Sequence, residues 1–441
     1  MKKIVLIAAA ILASGFSGIM AQDAAVKASE EQKAERMEWF DDAKLGIFIH
    51  WGIYAVDGVS ESWSFHNERV PYDKYMAQKE RFTASAYDPA AWVDLIKESG
   101  AKYTVLTSKH HDGVALWDTK ANDLSVVRQT PAGRDLFTPF ADEVRRQGLR
   151  LGIYFSLLDW SSDDYPVFTR NQNRYDIEKE PERWQRFVDF NFKQLRELAS
   201  AYKPDLLWFD GDWEQTAEAW KAKEIIELLR SYSPSIVVNS RIQGHGDYGT
   251  PEIGVPVERP ADRYWELCYT INDSWGFQHE DVNFKTPFMI LRTFVDCISN
   301  GGNLLLDIGP REDGSIPEEE VEVLRELGRW NRKHAEAVYG TRAGIPSEHV
   351  LTYTSLNKDS DILYLYLPYK PNGPIEIKGL VNDVKKVRVV GNGAELTHTV
   401  YNKNDWNGIP GLLEIDVPDE VLDPMITVIA VELDGPVKLY R

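Results

Sequence analysis

The chain has 441 residues, of which 43% are hydrophobic, so it is a folded globular protein long enough for more than one domain. Its formal net charge of −19 disfavours nucleic acid and anionic membranes as partners, because both are bound through basic patches. The 14 Trp and 20 Tyr favour an uncharged ligand on which flat rings can stack, such as a sugar.

The first segment, residues 1–21, has the pattern of a signal peptide. Lys2 and Lys3 precede a run that is apolar and rich in small residues, and Ala21 before Gln22 is a plausible cleavage site. The run is short for a membrane span and no second one follows it. We therefore expect an exported protein, periplasmic or secreted, without membrane insertion.

Seven apolar runs then alternate with helical patterns. The runs cover residues 44–52, 103–113, 149–160, 204–211, 235–241, 264–271 and 302–310. They are continuous rather than alternating, as is typical of parallel strands covered on both faces. One intervening helix has clear ends, with Asp88 as the N-cap, Pro89 in the first turn and Gly100 after the last turn.

This alternation predicts a (β/α)8-type barrel over residues 22–343. Only seven strands are clear and one is doubtful, which leaves room for an irregular barrel. A doubly wound open sheet is the alternative, weakened by the absence of a glycine-rich loop after the first strand. From Gly344 the helical patterns stop, and short strand-like runs alternate with glycine-containing turns. We predict an antiparallel β-sandwich over residues 344–441.

The chain has only two cysteines, Cys268 and Cys297. An oxidising compartment would allow them to pair, but two cysteines do not form a disulfide framework. We expect both thiols to be free and buried.

Polar and aromatic side chains follow the predicted strands, where a barrel places its catalytic groups. The stretch "PDLLWFDGDWE" (204–214) ends an apolar run with three carboxylates and two tryptophans. The candidates in chain order are His50, Trp51, Lys109, His110, His111, Asp112, Tyr154, Asp159, Trp160, Trp208, Asp210, Asn239, Arg241, Glu252, Glu258, Arg259, Trp265, Glu266 and Trp275. Singly, each could cap a helix or bond a carbonyl group. Together they predict a polar pocket lined by aromatic rings.

Two chemistries fit such a pocket. Three histidines and an aspartate could hold a metal for a metal-dependent hydrolase, but adjacent His110 and His111 should point to opposite sides unless the strand bends. Alternatively, a carboxylate pair hydrolyses a glycoside without a cofactor, one attacking or activating water while the other protonates the leaving oxygen. A non-catalytic sugar-binding barrel is the third possibility.

The chain resembles the retaining α-L-fucosidases of glycoside hydrolase family 29 from about Trp39 to Thr341. The resemblance rests on motifs in a specific order: "LGIFIHWGIYAV", "SKHHDGVALWD", "PDLLWFDGDWE", "VVNSR" followed by "GDYGTPE", "YWELCYTINDSWGF", "SNGGNLLLDIGPREDGSIP" and "EAVYGT". It implies a fucosylated oligosaccharide or glycoconjugate as substrate, no metal, and a C-terminal β-sandwich. It does not indicate the linkage or the oligomeric state.

The resemblance also implies residue roles. Asp210 is expected to be the nucleophile and Glu252 the acid/base. Fucose contacts are expected from His50, His110, His111, Tyr154, Trp208, Arg241 and Trp275, and Trp63 belongs to the same predicted site. Two positions depart from the family pattern. Ser62 precedes Trp63 where many members have a glutamate that touches the sugar, so Glu61 is displaced by one residue, and Phe155 follows Tyr154 where a second tyrosine is common.

Overall fold

The computed structural model describes residues 29–440, and a curled parallel sheet forms the first part. Its chain contains the strands β1 (Leu45–Ile49), β2 (Tyr103–Lys109), β3 (Arg150–Ser156), β4 (Val167–Thr169), β5 (Gln172–Asn173), β6 (Leu206–Asp210), β7 (Val237–Val238), β8 (Glu266–Thr270) and β9 (Asn303–Ile308). The sheet order is β7-β6-β3-β2-β1-β9-β8, and β4 and β5 form a separate hairpin. All seven predicted strands are confirmed, and their residues are almost entirely buried.

Helices connect these strands. They are α1 (29–43), α2 (Trp63–His66), α3 (Tyr72–Met76), α4 (Pro89–Glu98), α5 (Val126–Gln129), α6 (Phe137–Arg146), α7 (Pro181–Tyr202), α8 (Ala217–Trp220), α9 (Ala222–Tyr232), α10 (Pro287–Ser299), α11 (Glu318–Lys333) and α12 (Ala335–Val338). The predicted cap of α4 is confirmed, since the Asp88 carboxylate accepts hydrogen bonds from the backbone of Ala90 and Ala91.

An irregular segment, residues 247–253, fills the space between β7 and β8. It forms parallel bridges to both neighbours, pairing Asn239 with Tyr248, Gly249 with Trp265 and Glu252 with Cys268. We call residues 247–253 the closing segment. Because it takes the place of an eighth strand, the fold is the irregular (β/α)8-type barrel that the sequence predicts, and the open doubly wound sheet is excluded.

The C-terminal part is an antiparallel sandwich, as predicted. Its strands are β10 (Arg342–Ala343), β11 (Tyr353–Leu356), β12 (Ile362–Leu367), β13 (Ile375–Lys378), β14 (Val384–Val389), β15 (His398–Tyr401), β16 (Leu412–Ile415) and β17 (Thr427–Leu433). A five-stranded sheet, β10-β11-β12-β17-β14, faces a three-stranded sheet, β13-β16-β15. Alternate residues such as Leu363, Leu365 and Ile377 fill the core between them.

The other face of the five-stranded sheet packs against the barrel. Tyr364 and Tyr366 of β12 belong to the barrel's hydrophobic core, and the Tyr366 hydroxyl donates to the carbonyl oxygen of Ala337. The Trp330 indole of α11 donates to the carbonyl oxygen of Ile426 at 2.9 Å. The last barrel helices therefore join the two parts through apolar packing and buried hydrogen bonds.

The two cysteines, Cys268 and Cys297, are free and buried, as predicted. No helix within residues 29–440 is both long enough and apolar enough to cross a membrane. The predicted signal peptide, residues 1–21, lies outside the described residues.

Candidate active site

A cavity of about 210 Å³ opens where the barrel strands end. Its walls are Phe48, His50, Trp63, His110, Tyr154, Trp208, Asp210, Trp213, Arg241, Glu252 and Trp275. Of the ten residues to which the family resemblance gives a place in the site, nine are in this set. The exception is His111, which lies behind Asp210 and is completely buried. Phe48, Tyr154 and Trp208 are also almost completely buried, so the inner end of the cavity is closed.

Asp210 is the last residue of β6, and two donors hold its carboxylate. Oδ1 accepts a hydrogen bond from Nη1 of Arg241, and Oδ2 accepts one from the hydroxyl of Tyr154, both at 3.0 Å. Gly211 then ends the strand in the left-handed region at φ 85°, where a Cβ would lie 2.4 Å from Cγ of Leu158. The strand and its two donors therefore fix the direction of the Asp210 carboxylate.

Arg241 joins the two predicted catalytic carboxylates. While Nη1 contacts Asp210, Nη2 donates to Oε2 of Glu252 at 2.5 Å, and Nε donates to the Thr250 hydroxyl. The guanidinium lies 4.5 Å from the ring centre of Trp208. Burial alone would lower the pKa of Arg241, but the charges of Asp210 and Glu252 outweigh it, so the pKa is raised and the cation persists.

His111 is held as one neutral tautomer. Its Nδ1 lies 2.6 Å from the hydroxyl oxygen of Ser156, whose proton is donated to the carbonyl oxygen of Leu158. Nδ1 must therefore carry the proton, which leaves a lone pair on Nε2, 3.6 Å from Oδ2 of Asp210. Burial lowers the pKa of His111 well below its usual value, which keeps the ring neutral.

The His110 ring lies beside that of His111, with ring centres 4.2 Å apart. The prediction that the His110 and His111 side chains point to opposite sides is wrong. Strand β2 ends at Lys109, and its register against β3 shifts between Thr107 and Lys109. The local backbone therefore no longer alternates as a regular strand would, and both rings reach the Asp210 side of the barrel.

A hydrogen bond to Ser62 orients His110. Nδ1 of His110 lies 2.6 Å from the Ser62 hydroxyl oxygen, which leaves Nε2 of the ring free of this contact. Burial lowers the pKa of His110 well below the usual value, so the ring is neutral.

His50 follows β1 and pairs with Asp307 on the neighbouring β9. Nδ1 of His50 lies 2.6 Å from Oδ1 of Asp307, and both side chains are buried. Burial lowers the pKa of His50 and raises that of Asp307, so the pair shares one proton between these two atoms. The ring of His50 is thereby fixed against Trp275, with ring centres 5.1 Å apart.

Glu61 and Glu266 are buried carboxyls with structural partners. Oε1 of Glu61 accepts a hydrogen bond from the backbone of Gly276 at 2.7 Å, which anchors the loop that carries Trp275. Glu266 accepts from the Tyr103 hydroxyl at 2.5 Å and from the Trp208 indole at 3.0 Å. Burial raises the pKa of each carboxyl to about 7. Neither side chain lines the cavity.

No group of three or more His, Cys, Asp or Glu side chains within residues 29–440 is arranged to hold a metal ion. The histidines instead use their Nδ1 atoms on Asp307, Ser62 and Ser156. The arrangement is suited to binding hydroxyl groups, with a cation between two carboxylates at the mouth.

Two cavity residues, Phe48 and Trp213, were not among the sequence-predicted candidates. Phe48 lies two residues before His50 on β1, so the two-residue period of a strand indicates it. Trp213 lies beyond the strand-ending Gly211, where no such period applies. Its place at the mouth depends on the tertiary structure.

The family model described as "Alpha-L-fucosidase" matches residues 16–336 of this chain. Human tissue alpha-L-fucosidase is 30% identical, over 87% of each chain. Alpha-L-fucosidase isoenzyme 1 from Paenibacillus thiaminolyticus has a solved structure with a TM-score of 0.83 and 33% identity, covering 92% of this chain and 100% of its own. An alpha-L-fucosidase from Bacteroides thetaiotaomicron, solved as a covalent intermediate with 2-fluoro-fucosyl fluoride, gives a TM-score of 0.79 and 27% identity, covering 91% of this chain and 96% of its own.

Proposed function

The chain belongs to the α-L-fucosidase family, and we propose that it is an exported enzyme that removes terminal α-L-fucosyl residues with retention of configuration. The observation that carries this proposal is the Arg241 bridge. One guanidinium contacts both Asp210, inside the pocket, and Glu252, at its mouth. A retaining glycosidase needs two carboxyl groups close together, roughly 5–5.5 Å apart, on either side of the bond that breaks.

In the first step, a carboxylate oxygen of Asp210 forms a bond to the anomeric carbon as the bond to the leaving oxygen breaks. Glu252 gives its proton to that oxygen, and a β-fucosyl ester of Asp210 results. In the second step, water attacks the same carbon, Glu252 takes the proton from water, and the ester bond breaks. Two inversions at one carbon yield α-L-fucose.

The pocket walls are assigned to the sugar hydroxyls. Neutral His110 uses Nδ1 on Ser62, so its Nε2 is the ring atom assigned to a hydrogen bond with a sugar hydroxyl group. His50 and Arg241 add further polar contacts, and Trp208 and Trp275 supply apolar surface. The buried inner wall of Phe48, Tyr154 and Trp208 leaves no exit for a second sugar, which supports action on terminal residues.

We further propose that residues 1–21 are removed during export. Support comes from the two lysines, the apolar run and the small residue before Gln22. Fractionation of the native host with N-terminal sequencing of the mature protein tests this part. A cytoplasmic protein that retains residue 1 or 2 would contradict it.

The hydrolytic proposal is tested by following an α-L-fucoside reaction by proton NMR. We expect α-L-fucose first and the β-anomer later by mutarotation, and no loss of activity with EDTA. Oligosaccharides with defined linkages then test terminal action, since a fucose that itself carries a further sugar should not be released. Initial β-L-fucose would reject retention, and no fucose release from any linkage would reject the activity.

A further inference from the structure

The proposed function accounts for Asp210 but not for the exposed tryptophan three residues later. Trp213 lies in a 3-10 turn, Asp212–Glu214, and its side chain is 49% exposed at the mouth of the cavity. Among the aromatic residues of the cavity wall, the others are buried or half-buried. What distinguishes Trp213 from an ordinary exposed tryptophan is its place on the wall of the cavity, where a ligand can cover the open part of the ring.

The turn that carries Trp213 is held from both sides. Oδ2 of Asp212 accepts from the backbone of Gln243 at 2.6 Å, and the Gln243 amide donates to the Asp212 carbonyl oxygen at 2.7 Å. Glu214 accepts from the Tyr165 hydroxyl at 2.6 Å and the Trp160 indole at 3.1 Å. The flanking carboxylates therefore fix the backbone on each side of the exposed ring.

The ring itself is also supported. Trp213 stacks on the half-buried Trp63, with ring centres 6.0 Å apart and planes inclined by 17°. It meets His111 edge to face, also at 6.0 Å. One side of Trp213 thus has protein neighbours, while nearly half of its surface remains open. A rigid, pre-positioned ring loses little entropy when a ligand covers it.

The position of Trp213 relative to the chemistry identifies the ligand. Asp210 lies deep in the pocket, whereas Glu252, the assigned proton donor to the leaving oxygen, has a side chain 37% exposed at the same mouth. The leaving group extends outward from Glu252, and Trp213 lines the same cavity with its ring open to solvent. A pyranose has a flat face of C–H groups that can cover an indole ring, whereas a small alkyl leaving group does not reach it.

We propose that Trp213 is the platform for the sugar to which the fucose is linked, so that the enzyme selects fucosyl oligosaccharides with a pyranose next to fucose. This inference rests on the proposed fucosidase function and adds the class of leaving group. Asp212 and Glu214 are positioning residues that hold the platform. Each of the three carboxylates in residues 210–214 thus has a task, Asp210 in the chemistry and the other two in holding the platform.

The test compares two substrates with similar chemical reactivity. One is a disaccharide in which fucose is α-linked to a hexopyranoside, and the other is methyl α-L-fucoside. We expect Trp213→Ala to lower kcat/KM for the disaccharide roughly 5- to 30-fold, largely through KM, and to change kcat/KM for the methyl fucoside by less than about 2-fold. Trp213→Phe should restore most of the disaccharide activity, whereas Trp213→Leu should not.

The chain offers a matched control. Trp406 lies in another 3-10 turn, Asp405–Asn407, is 94% exposed, and belongs to the sandwich. Trp406→Ala should leave both substrates unaffected. Equal losses on both substrates in Trp213→Ala, or no loss on the disaccharide, would overturn the platform while leaving the fucosidase function intact. A wild-type protein inactive on both substrates and on the linkage panel would overturn both proposals.

Discussion

At the scale of single residues, the carboxylates of one short stretch have different tasks because a glycine separates them. Asp210 ends β6 and faces Tyr154 and Arg241 in the cavity. Gly211 turns the chain, so Asp212 leaves the strand and bonds to the backbone of Gln243. Charge and residue type are the same at both positions, and only the direction of the side chain distinguishes them.

Replacement of the two aspartates should therefore have different consequences. Asp210→Asn keeps the shape of the side chain and one acceptor oxygen but removes the nucleophile, so kcat should fall by at least ~10⁴-fold while the protein stays folded. Asp212→Asn should retain measurable turnover. Kinetics with an aryl fucoside and thermal unfolding of both variants provide the check. Loss of turnover in Asp212→Asn alone would reverse the assignment.

Glu252 is the second residue whose role can be isolated, because leaving groups differ in their need for a proton. Glu252→Ala should lose ~10²–10⁴-fold on natural fucosides, and much less in the first step on an aryl fucoside. Added azide should take the place of water, attack the β-fucosyl-enzyme, accelerate turnover and yield α-L-fucosyl azide. The measurements are burst kinetics and NMR of the product. If both substrates lose activity equally and azide has no effect, the acid/base is a different residue.

At the scale of elements, the closing segment is the part on which the site most depends. It carries Glu252 and Thr250, and both contact Arg241. The residue just before this segment is tightly packed, since a Cβ on Gly246 would lie 1.9 Å from the carbonyl oxygen of Asn239. A backbone atom cannot move aside as a flexible side chain does, so a side chain at residue 246 must shift the whole segment.

We therefore predict that Gly246→Ala lowers activity at least ~10-fold and destabilises the fold by about 1–3 kcal/mol, although residue 246 touches no substrate. The effect is measured by kcat/KM and by urea unfolding. Gly254→Ala is the control, because a Cβ there has no neighbour within 4 Å. Its stability should stay within about 0.5 kcal/mol of the wild type. Equal behaviour of the two variants would contradict the role of the Gly246 contact.

At the scale of the whole molecule, several ionisable groups are buried, and they act in opposite directions on stability. Burial raises the pKa of Glu61 and Glu266 to about 7 and that of Glu320 to about 8. These groups favour the native state while they remain protonated. Burial lowers the pKa of His50, His110 and His111, which therefore disfavour the native state where the unfolded chain would protonate them.

Together, the raised pKa values of the glutamates and the lowered pKa values of the histidines predict that the free energy of unfolding falls between pH 6.5 and 8. Above pH 6.5 the histidines are largely neutral in both states, whereas the native glutamates still bind protons that the unfolded chain has lost. Each extra proton bound by the native state lowers the free energy of unfolding by about 1.4 kcal/mol per pH unit. Lys109, with a pKa lowered to about 8 by burial, acts in the opposite direction above pH 8.

Urea unfolding midpoints at several pH values measure this fall. Glu320→Gln should make the dependence shallower, because Glu320 accepts a hydrogen bond from the backbone of Gly309 and has the highest of the three pKa values. The exposed neighbour Glu319 on the same helix is the control, and Glu319→Gln should match the wild type. A pH dependence that is identical in all three proteins would exclude Glu320 as its source.

The sequence by itself determined the order of the elements and most of the cavity wall. Continuous apolar runs indicate parallel strands, and parallel strands place their carboxyl ends at one edge, so His50, Tyr154 and Asp210 could be predicted to meet. Local chemistry also predicted the cap at Asp88. These features depend on residues adjacent in the chain or on the regular spacing of side chains in a strand or helix, and both can be read from the sequence.

Only the tertiary structure decided the rest. The His110 and His111 rings lie side by side because the register of β2 is irregular. The closing segment occupies the position of an eighth strand, although its sequence has no strand pattern. The exposure of Trp213 and the burial of Glu61 depend on packing between distant segments. Hydrogen bonds and burial between residues far apart in the chain follow no sequence period, so their positions emerge only when the barrel closes.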